Sequence, residues 1–242
     1  AFEEHTLCPE VRPVDHGHCQ APGPRHDTEN LLEETARDPK PPVVSSTQDS
    51  QGTWVVVTGG PGSGKTSLLD AARRALGESA VFAPEVATML FSGGFPRQAG
   101  ELGQGPAQRA IFLVQGELEA ALAGCSRADL FVCDRGTLDA SVYWPGGALD
   151  FLDCVGTSVP REHARYDHIL HMRVPASEPP YEGRQGVRTE DHGEALALDN
   201  AIAAVWQAHP GYISIEPRES FEEKLAEALR HMERILCKSG RR

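Results

Sequence analysis

Residues 59–66 read GGPGSGKT, a glycine, four residues, a second glycine, a lysine and a hydroxyl residue. This is the P-loop pattern, and each residue type has a chemical reason to be there. Gly59, Gly62 and Gly64 let the backbone wrap with its N–H groups pointing inward. A helix starting at the end of the loop adds its positive dipole end, so the whole turn suits phosphate oxygens. Lys65 can reach the β- and γ-phosphates, and the Thr66 hydroxyl can ligate Mg²⁺. The expected nucleotide-binding set is therefore Gly59, Gly60, Pro61, Gly62, Ser63, Gly64, Lys65, Thr66 and Ser67. The chain holds only four lysines, and Lys65 is the sole one between Lys40 and Lys224.

Farther along, LFVCDRG (130–136) is an apolar run that ends in an acid. An acid at such a strand end can hold Mg²⁺ beside the phosphates, so Asp134 and Thr66 are the expected metal pair. No second acid follows Asp134, where motor-type ATPases commonly keep a water-activating Glu. No Asn/Thr-Lys-x-Asp sequence of the guanine-reading kind is present either. The bound nucleotide is expected to be ATP or GTP, with no choice between them.

A phosphate loop works only between a strand and a helix. TWVVVTG (53–59) is β-branched and flanked by Gly, as a buried strand should be. AVFAPE (80–85), DLFVCD (129–134), HILHMRV (168–174) and YISIEP (212–217) are four further strands, and helical patterns cover 65–76, 106–123, 189–208 and 220–237. The last has a Ser220/Glu223 capping box and an apolar stripe of Phe221, Leu225, Leu229, Met232 and Leu236. Continuous apolar strands separated by helices imply a parallel sheet covered on both faces. The fold class expected is α/β, a P-loop NTPase three-layer sandwich with a five-stranded parallel sheet of kinase-like type. Trp206, His168 and His171 sit among apolar neighbours and are read as core or edge residues. Tyr143 and Trp144 suit either sheet packing or stacking on a base or sugar.

APEVA (83–87), DRGTLDASVYW (134–144) and GVRTED (186–191) followed by LALDNAIAAVW together resemble the NadR/TRPL-translocation-defect family of P-loop ATPases. More distantly they are similar to deoxynucleoside kinases. The resemblance spans roughly residues 53–237. It implies a kinase-like core that binds ATP or GTP with Mg²⁺, but it divides the reaction. Some relatives are nicotinamide riboside kinases, and others are nucleotide-binding trafficking factors. By the kinase pattern, Glu85 would orient an acceptor hydroxyl and take its proton; the alternative is a glutamate stabilising a helix N-terminus. Arg135 would grip the acceptor or the transferring phosphate, or else form a structural salt bridge. Arg184 and Arg188, in the loop PPYEGRQGVRTED after the fourth strand, lie where small kinases keep their lid and would neutralise charge on the γ-phosphate. Arg97 would border the acceptor pocket. The leading expectation is a small-molecule kinase acting on a hydroxyl of an unidentified, nucleoside-like acceptor. The rival is a nucleotide-dependent module that recognises a protein or lipid partner without transfer.

Composition narrows the field. Of 242 residues, 40% are hydrophobic and 24% charged, which excludes a fully disordered or collagen-like chain. A net charge of −12 argues against a nucleic-acid surface, because phosphate-backbone binding is driven by Lys and Arg. Residues 1–52 hold seven of the eighteen prolines and a charge of −6, and read as a disordered acidic arm ahead of a nucleotide-binding domain at 53–240. Cys8, His16, His18 and Cys19 in that arm match no standard zinc spacing. No apolar stretch approaches the length of a membrane span, and no signal peptide is visible. The six cysteines, with Cys125, Cys133 and Cys154 read as buried thiols, point to an intracellular, cytoplasmic protein. The chain starts without Met, so an upstream targeting segment stays open.

Overall fold

The computed structural model describes residues 52–97, 101–176 and 192–240, with backbone only at 101–103. The expected arm, the loop bearing Arg184 and Arg188, and the helix start at Thr189 lie outside the described residues.

Five strands, β1 (Thr53–Thr58), β2 (Ala80–Ala83), β3 (Leu130–Asp134), β4 (His168–Met172) and β5 (Tyr212–Ile215), form one parallel sheet in the order β2-β3-β1-β4-β5. Around it are α1 (Lys65–Leu76), α2 (Val86–Ser92), α3 (Glu101–Cys125), α4 (Asp139–Val142), α5 (Gly147–Val155), α6 (Val159–His163), α7 (His192–Trp206) and α8 (Phe221–Ser239). The strand pleat sends successive residues of β1 to opposite faces. Val55 and Val57 join Leu68, Leu69, Met172, Ala228 and Met232 under α1 and α8. Trp54 and Val56 join Phe112, Phe131, Phe151, Ile202 and Trp206 on the other face. Trp54 stacks on Phe131 with ring centroids 4.4 Å apart, a contact between neighbouring strands that staples β1 to β3.

Each expected strand is present, and the boundaries differ in understandable ways. Helix α3 begins at Glu101 rather than at Pro106, which lies within it. Pro106 lacks the N–H that would bond the carbonyl of residue 102, and the helix continues across it without that bond. Helices α5 and α6 occupy a stretch that reads as loop from sequence. They are short, but Phe151 and Leu152 are buried and Pro160 sits in the first turn of α6, which suffices to hold them in a folded context. The cysteine expectation needs correction. Cys133 is buried, whereas Cys125 and Cys154 are exposed, near the C-terminal ends of their helices; with Cys237, all four described cysteines are free thiols. No helix among the described residues is long and apolar enough to cross a membrane.

In register, β1 Val57 pairs with Asp134 at the end of β3, and Ala83 at the end of β2 pairs with Cys133. The carboxyl ends of three adjacent strands therefore deliver the phosphate loop, Asp134–Arg135 and Glu85 to one edge of the sheet.

Candidate nucleotide and acceptor site

The loop after β1 turns into α1 through Gly64, whose φ of 99° is left-handed. Only glycine suits that backbone, and a Cβ there would meet the Phe221 ring at 2.6 Å. Lys65 opens α1. Its ammonium donates to the carbonyls of Gly59 (2.7 Å) and Gly60 (3.0 Å), and lies 3.5 Å from the Ser63 hydroxyl. Burial lowers its pKa to about 7, and the nearby Arg135 charge pushes the same way. A lysine so depressed favours any anion placed beside it. The Lys65 ammonium, the backbone N–H groups of the loop and the helix N-terminus form a donor set that fits a polyphosphate.

Asp134 sits beside this loop with its pKa raised to about 6, by burial first and by the Glu85 charge second. A carboxylate raised in this way gains from a cation. Together with the Thr66 hydroxyl it offers the hard oxygen donors that Mg²⁺ takes. Among the described residues, no three His, Cys, Asp or Glu side chains cluster as a ready-made cation cage. Two protein oxygens completed by phosphates and water are what Mg²⁺ commonly uses.

Glu85 and Arg135, assigned separate roles from sequence, are directly paired. Arg135 Nε donates to Glu85 Oε1 at 2.6 Å, and Thr88 Oγ1 donates to Glu85 Oε2 at 2.6 Å. Both alternatives considered for these residues are also present in the geometry: Glu85 is the N-cap position of α2, and Arg135 forms a salt bridge. Burial by itself would raise the Glu85 pKa, but the guanidinium and the Thr88 hydroxyl hold it below the usual carboxylate range. Arg135 has φ 77°, the one non-glycine residue with positive φ among those described. Its Nη1 is buried without a hydrogen-bond partner, with Asp139 Oδ2 at 3.8 Å, and its guanidinium lies 5.9 Å from the centre of the Tyr143 ring. Trp144 is engaged elsewhere, packing edge-on to Phe151 and donating to Asp150. Arg97 lies over Phe91.

Several residues around the site carry no motif. Asp139 accepts from Thr58 Oγ1 and Trp206 Nε1, each within 2.8 Å. Behind the Asp134–Gly136 turn, Glu119 of α3 accepts from Gln115, Tyr166 and Arg165, while Thr137 donates its N–H to the Tyr166 hydroxyl and its own hydroxyl to Glu162. Gln115 also donates to the Arg135 carbonyl at 3.4 Å. Asp199 of α7 accepts from the Gly60 N–H, and Lys224 of α8 donates to the Ser63 carbonyl. The available signal was polar residues inside apolar helix faces, the lone acid in ALALDNAIAAVW and a lysine beside the α8 stripe, and neither says what it touches.

A parallel sheet with a phosphate loop after its central strand and an acid at the end of the adjoining strand defines a P-loop NTPase of kinase-like fold. Residues 54–224, more than two thirds of the chain, match the family AAA_28, an AAA domain, and the chain belongs to it. The crystal structure of NadR protein in complex with NR superposes with a TM-score of 0.56 at 14% identity, over 76% of this chain and 51% of that one. NadR protein in complex with NAD and AMP-PNP gives 0.50 at 13%, over 76% and 49%. Deoxyadenosine kinase from M. mycoides with bound dATP gives 0.51 at 12%, over 75% of this chain and 99% of that one. The chain thus spans about half the length of the NadR proteins it matches, and nearly all of the deoxyadenosine kinase. No curated protein matches the sequence. At these identities the likeness is one of fold, and it agrees with the resemblance read from APEVA, DRG and VRTED.

Proposed function

We propose that this protein is a Mg²⁺-dependent small-molecule kinase that moves the γ-phosphoryl group of ATP or GTP to a hydroxyl of a nucleoside-like acceptor. The observation that carries the reading is the Glu85–Arg135 pair at the ends of β2 and β3, set beside Lys65 and Asp134. A phosphate cradle needs no such pair; a second substrate does. The structural neighbours, solved with AMP-PNP and with dATP, support a nucleotide as the ligand.

In this reading the loop N–H groups and Lys65 hold the β- and γ-phosphates, with the Lys65 ammonium turning from the Gly59 and Gly60 carbonyls toward phosphate oxygen. Thr66 and Asp134 would hold Mg²⁺, which neutralises phosphate charge. Arg135 gives its Nη1 donors to the acceptor or the transferring group, and Arg184 and Arg188 would approach from the loop after β4. Glu85 orients the acceptor hydroxyl. As the acceptor oxygen bonds to the γ-phosphorus and the bond to the nucleoside diphosphate breaks, the hydroxyl proton passes to the Glu85 carboxylate and then to water. A carboxylate held at low pKa takes that proton late, which suits a loose transition state in which the nucleophile carries little charge.

A second reading has its own observation in support. Both Glu85 oxygens already accept hydrogen bonds, as in a binding module that recognises a protein or lipid partner and transfers nothing. Incubation with Mg²⁺ and γ-labelled ATP or GTP, with and without a pool of nucleosides and small metabolites, separates the two. Label on a pool member, lost in Glu85→Gln with nucleotide affinity kept, is the expected result. Tight binding with no acceptor-stimulated turnover would replace the kinase with the module.

A further inference from the structure

The phosphate loop is gripped from outside by two buried charged residues that belong to no motif. Lys224, in the first turns of α8, is 3% exposed and donates to the Ser63 carbonyl at 2.8 Å and the Arg173 carbonyl at 2.5 Å. Asp199, in α7, is fully buried. Its Oδ1 accepts from the Gly60 N–H at 2.8 Å and lies 2.9 Å from His171 Nε2. Its Oδ2 accepts from the Val174 N–H at 3.2 Å and pairs with Arg173 Nη1 at 3.2 Å.

Peptide geometry gives these bonds a direction. In a planar trans peptide the C=O and the following N–H point opposite ways. The Gly59–Gly60 peptide is therefore held at both ends, its carbonyl by Lys65 Nζ and its N–H by Asp199. Holding the Ser63 carbonyl on Lys224 sends the Gly64 N–H away from α8, at the residue that leads into the N-terminus of α1. A buried lysine is an expensive way to hold a carbonyl if packing were the sole need, because burial disfavours its charge. It is the one side chain here that joins the loop, the end of β4 and α8 through a single atom.

We propose that Lys224 and Asp199 are positioning residues for the phosphate loop: Lys224 leaves the Gly64 N–H free to face a polyphosphate ligand, Asp199 anchors the Gly60 N–H outside the cradle and so fixes where the loop begins, and neither touches the ligand. This rests on the reading of the loop as a nucleoside triphosphate site. Each residue acts through backbone: Lys224 through the Ser63–Gly64 peptide, and Asp199 through the Gly59–Gly60 peptide. Sequence-motif residues supply the donors, and α7 and α8 supply their orientation.

Calorimetric titration of the full chain with ATP and with inorganic tripolyphosphate tests this, alongside thermal melting of each ligand-free protein. Lys224→Met and Asp199→Ala are expected to weaken both ligands equally, by roughly ten- to a hundredfold, the range that loss of a charge-assisted hydrogen bond spans. Asp199→Asn keeps an oxygen that accepts from the Gly60 N–H but sets its NH2 against the Val174 N–H and Arg173, and is expected to fall between wild type and Asp199→Ala. A residue that merely stabilises the fold would lower the melting temperature and leave the tripolyphosphate affinity of the folded protein unchanged. That outcome overturns the inference, as does failure of both Lys224→Met and Asp199→Ala to fold, since the tethers would then hold the domain rather than the loop. Wild-type protein that binds neither ligand would overturn the triphosphate reading itself, and this inference with it.

Discussion

Arg135 combines an unfavourable backbone with a partly unsatisfied side chain. Left-handed φ costs a non-glycine residue about 1–2 kcal/mol, and a buried guanidinium nitrogen without a hydrogen bond adds to that. The surrounding structure tolerates this because Glu85 and Gln115 fix the residue from two sides. Strain kept at a site beside a phosphate cradle is a mark of function. Arg135→Gly relieves the backbone but leaves the part-buried Glu85 without its cation, so under the kinase reading the melting temperature is expected to change little while phosphoryl transfer falls by at least about a hundredfold. A large loss of stability with transfer intact would make the arginine structural. Lys65 offers the simpler test. Lys65→Ala removes the sole loop cation and is expected to reduce ATP affinity beyond measurement in the same titration, without unfolding the protein, because the ammonium satisfies only loop carbonyls.

Among the elements, α3 does work that its position in sequence does not suggest. Glu119 is fully buried and gathers Arg165, Tyr166 and Gln115 behind the Asp134–Gly136 turn. Removing one partner of a buried pair leaves the other uncompensated, so Glu119→Ala is expected to cost about 3–5 kcal/mol in urea unfolding. Glu119→Gln keeps an oxygen for Tyr166 and should cost less. Helix α8 shows a milder dependence. Ser220 Oγ accepts the Glu223 N–H at 3.1 Å, and Ser220→Ala is expected to cost about 1 kcal/mol. The same first turn carries Phe221 and Lys224, so a frayed start should also weaken ATP binding measurably.

For the molecule as a whole, pH dependence follows from the one lysine buried under the loop. Burial lowers the Lys224 pKa from 10.5 to about 8. Between those values the unfolded chain holds a proton that the folded chain has released, so raising pH favours folding through this group. The cost of burying its charge is fully present below pH 8 and is relieved as pH climbs toward 10.5. The stability difference between wild type and Lys224→Met should therefore move in favour of wild type by up to about 1.4 kcal/mol per pH unit above pH 8. Urea titrations of both proteins across that range measure it, and a flat difference would mean that the lysine titrates normally. Using the difference cancels other titrating groups, among them Cys133 and Tyr166, whose pKa values burial raises. A shortened chain without residues 1–51 is expected to keep the ATP affinity of the full chain, because the strands that carry the site close on one another within 52–240.

The same scales separate what could be read from the chain alone. GGPGSGKT, the apolar strands and the Ser220 cap were legible because each is local: a turn needs its glycines, a buried strand its unbroken apolar run, and a helix its cap within four residues. From them the sequence by itself determined a parallel α/β sheet, a phosphate cradle after the first strand and an acid at the end of another. Which strands are neighbours is not local. Only the tertiary structure set β3 between β2 and β1, and so turned Glu85 and Arg135, 50 positions apart, into one ion pair at 2.6 Å. It likewise brought Asp199 and Lys224 to the loop from 139 and 161 positions away. A polar side chain buried by a distant segment leaves no period or spacing in the sequence, because its partner is chosen by packing rather than by position along the chain.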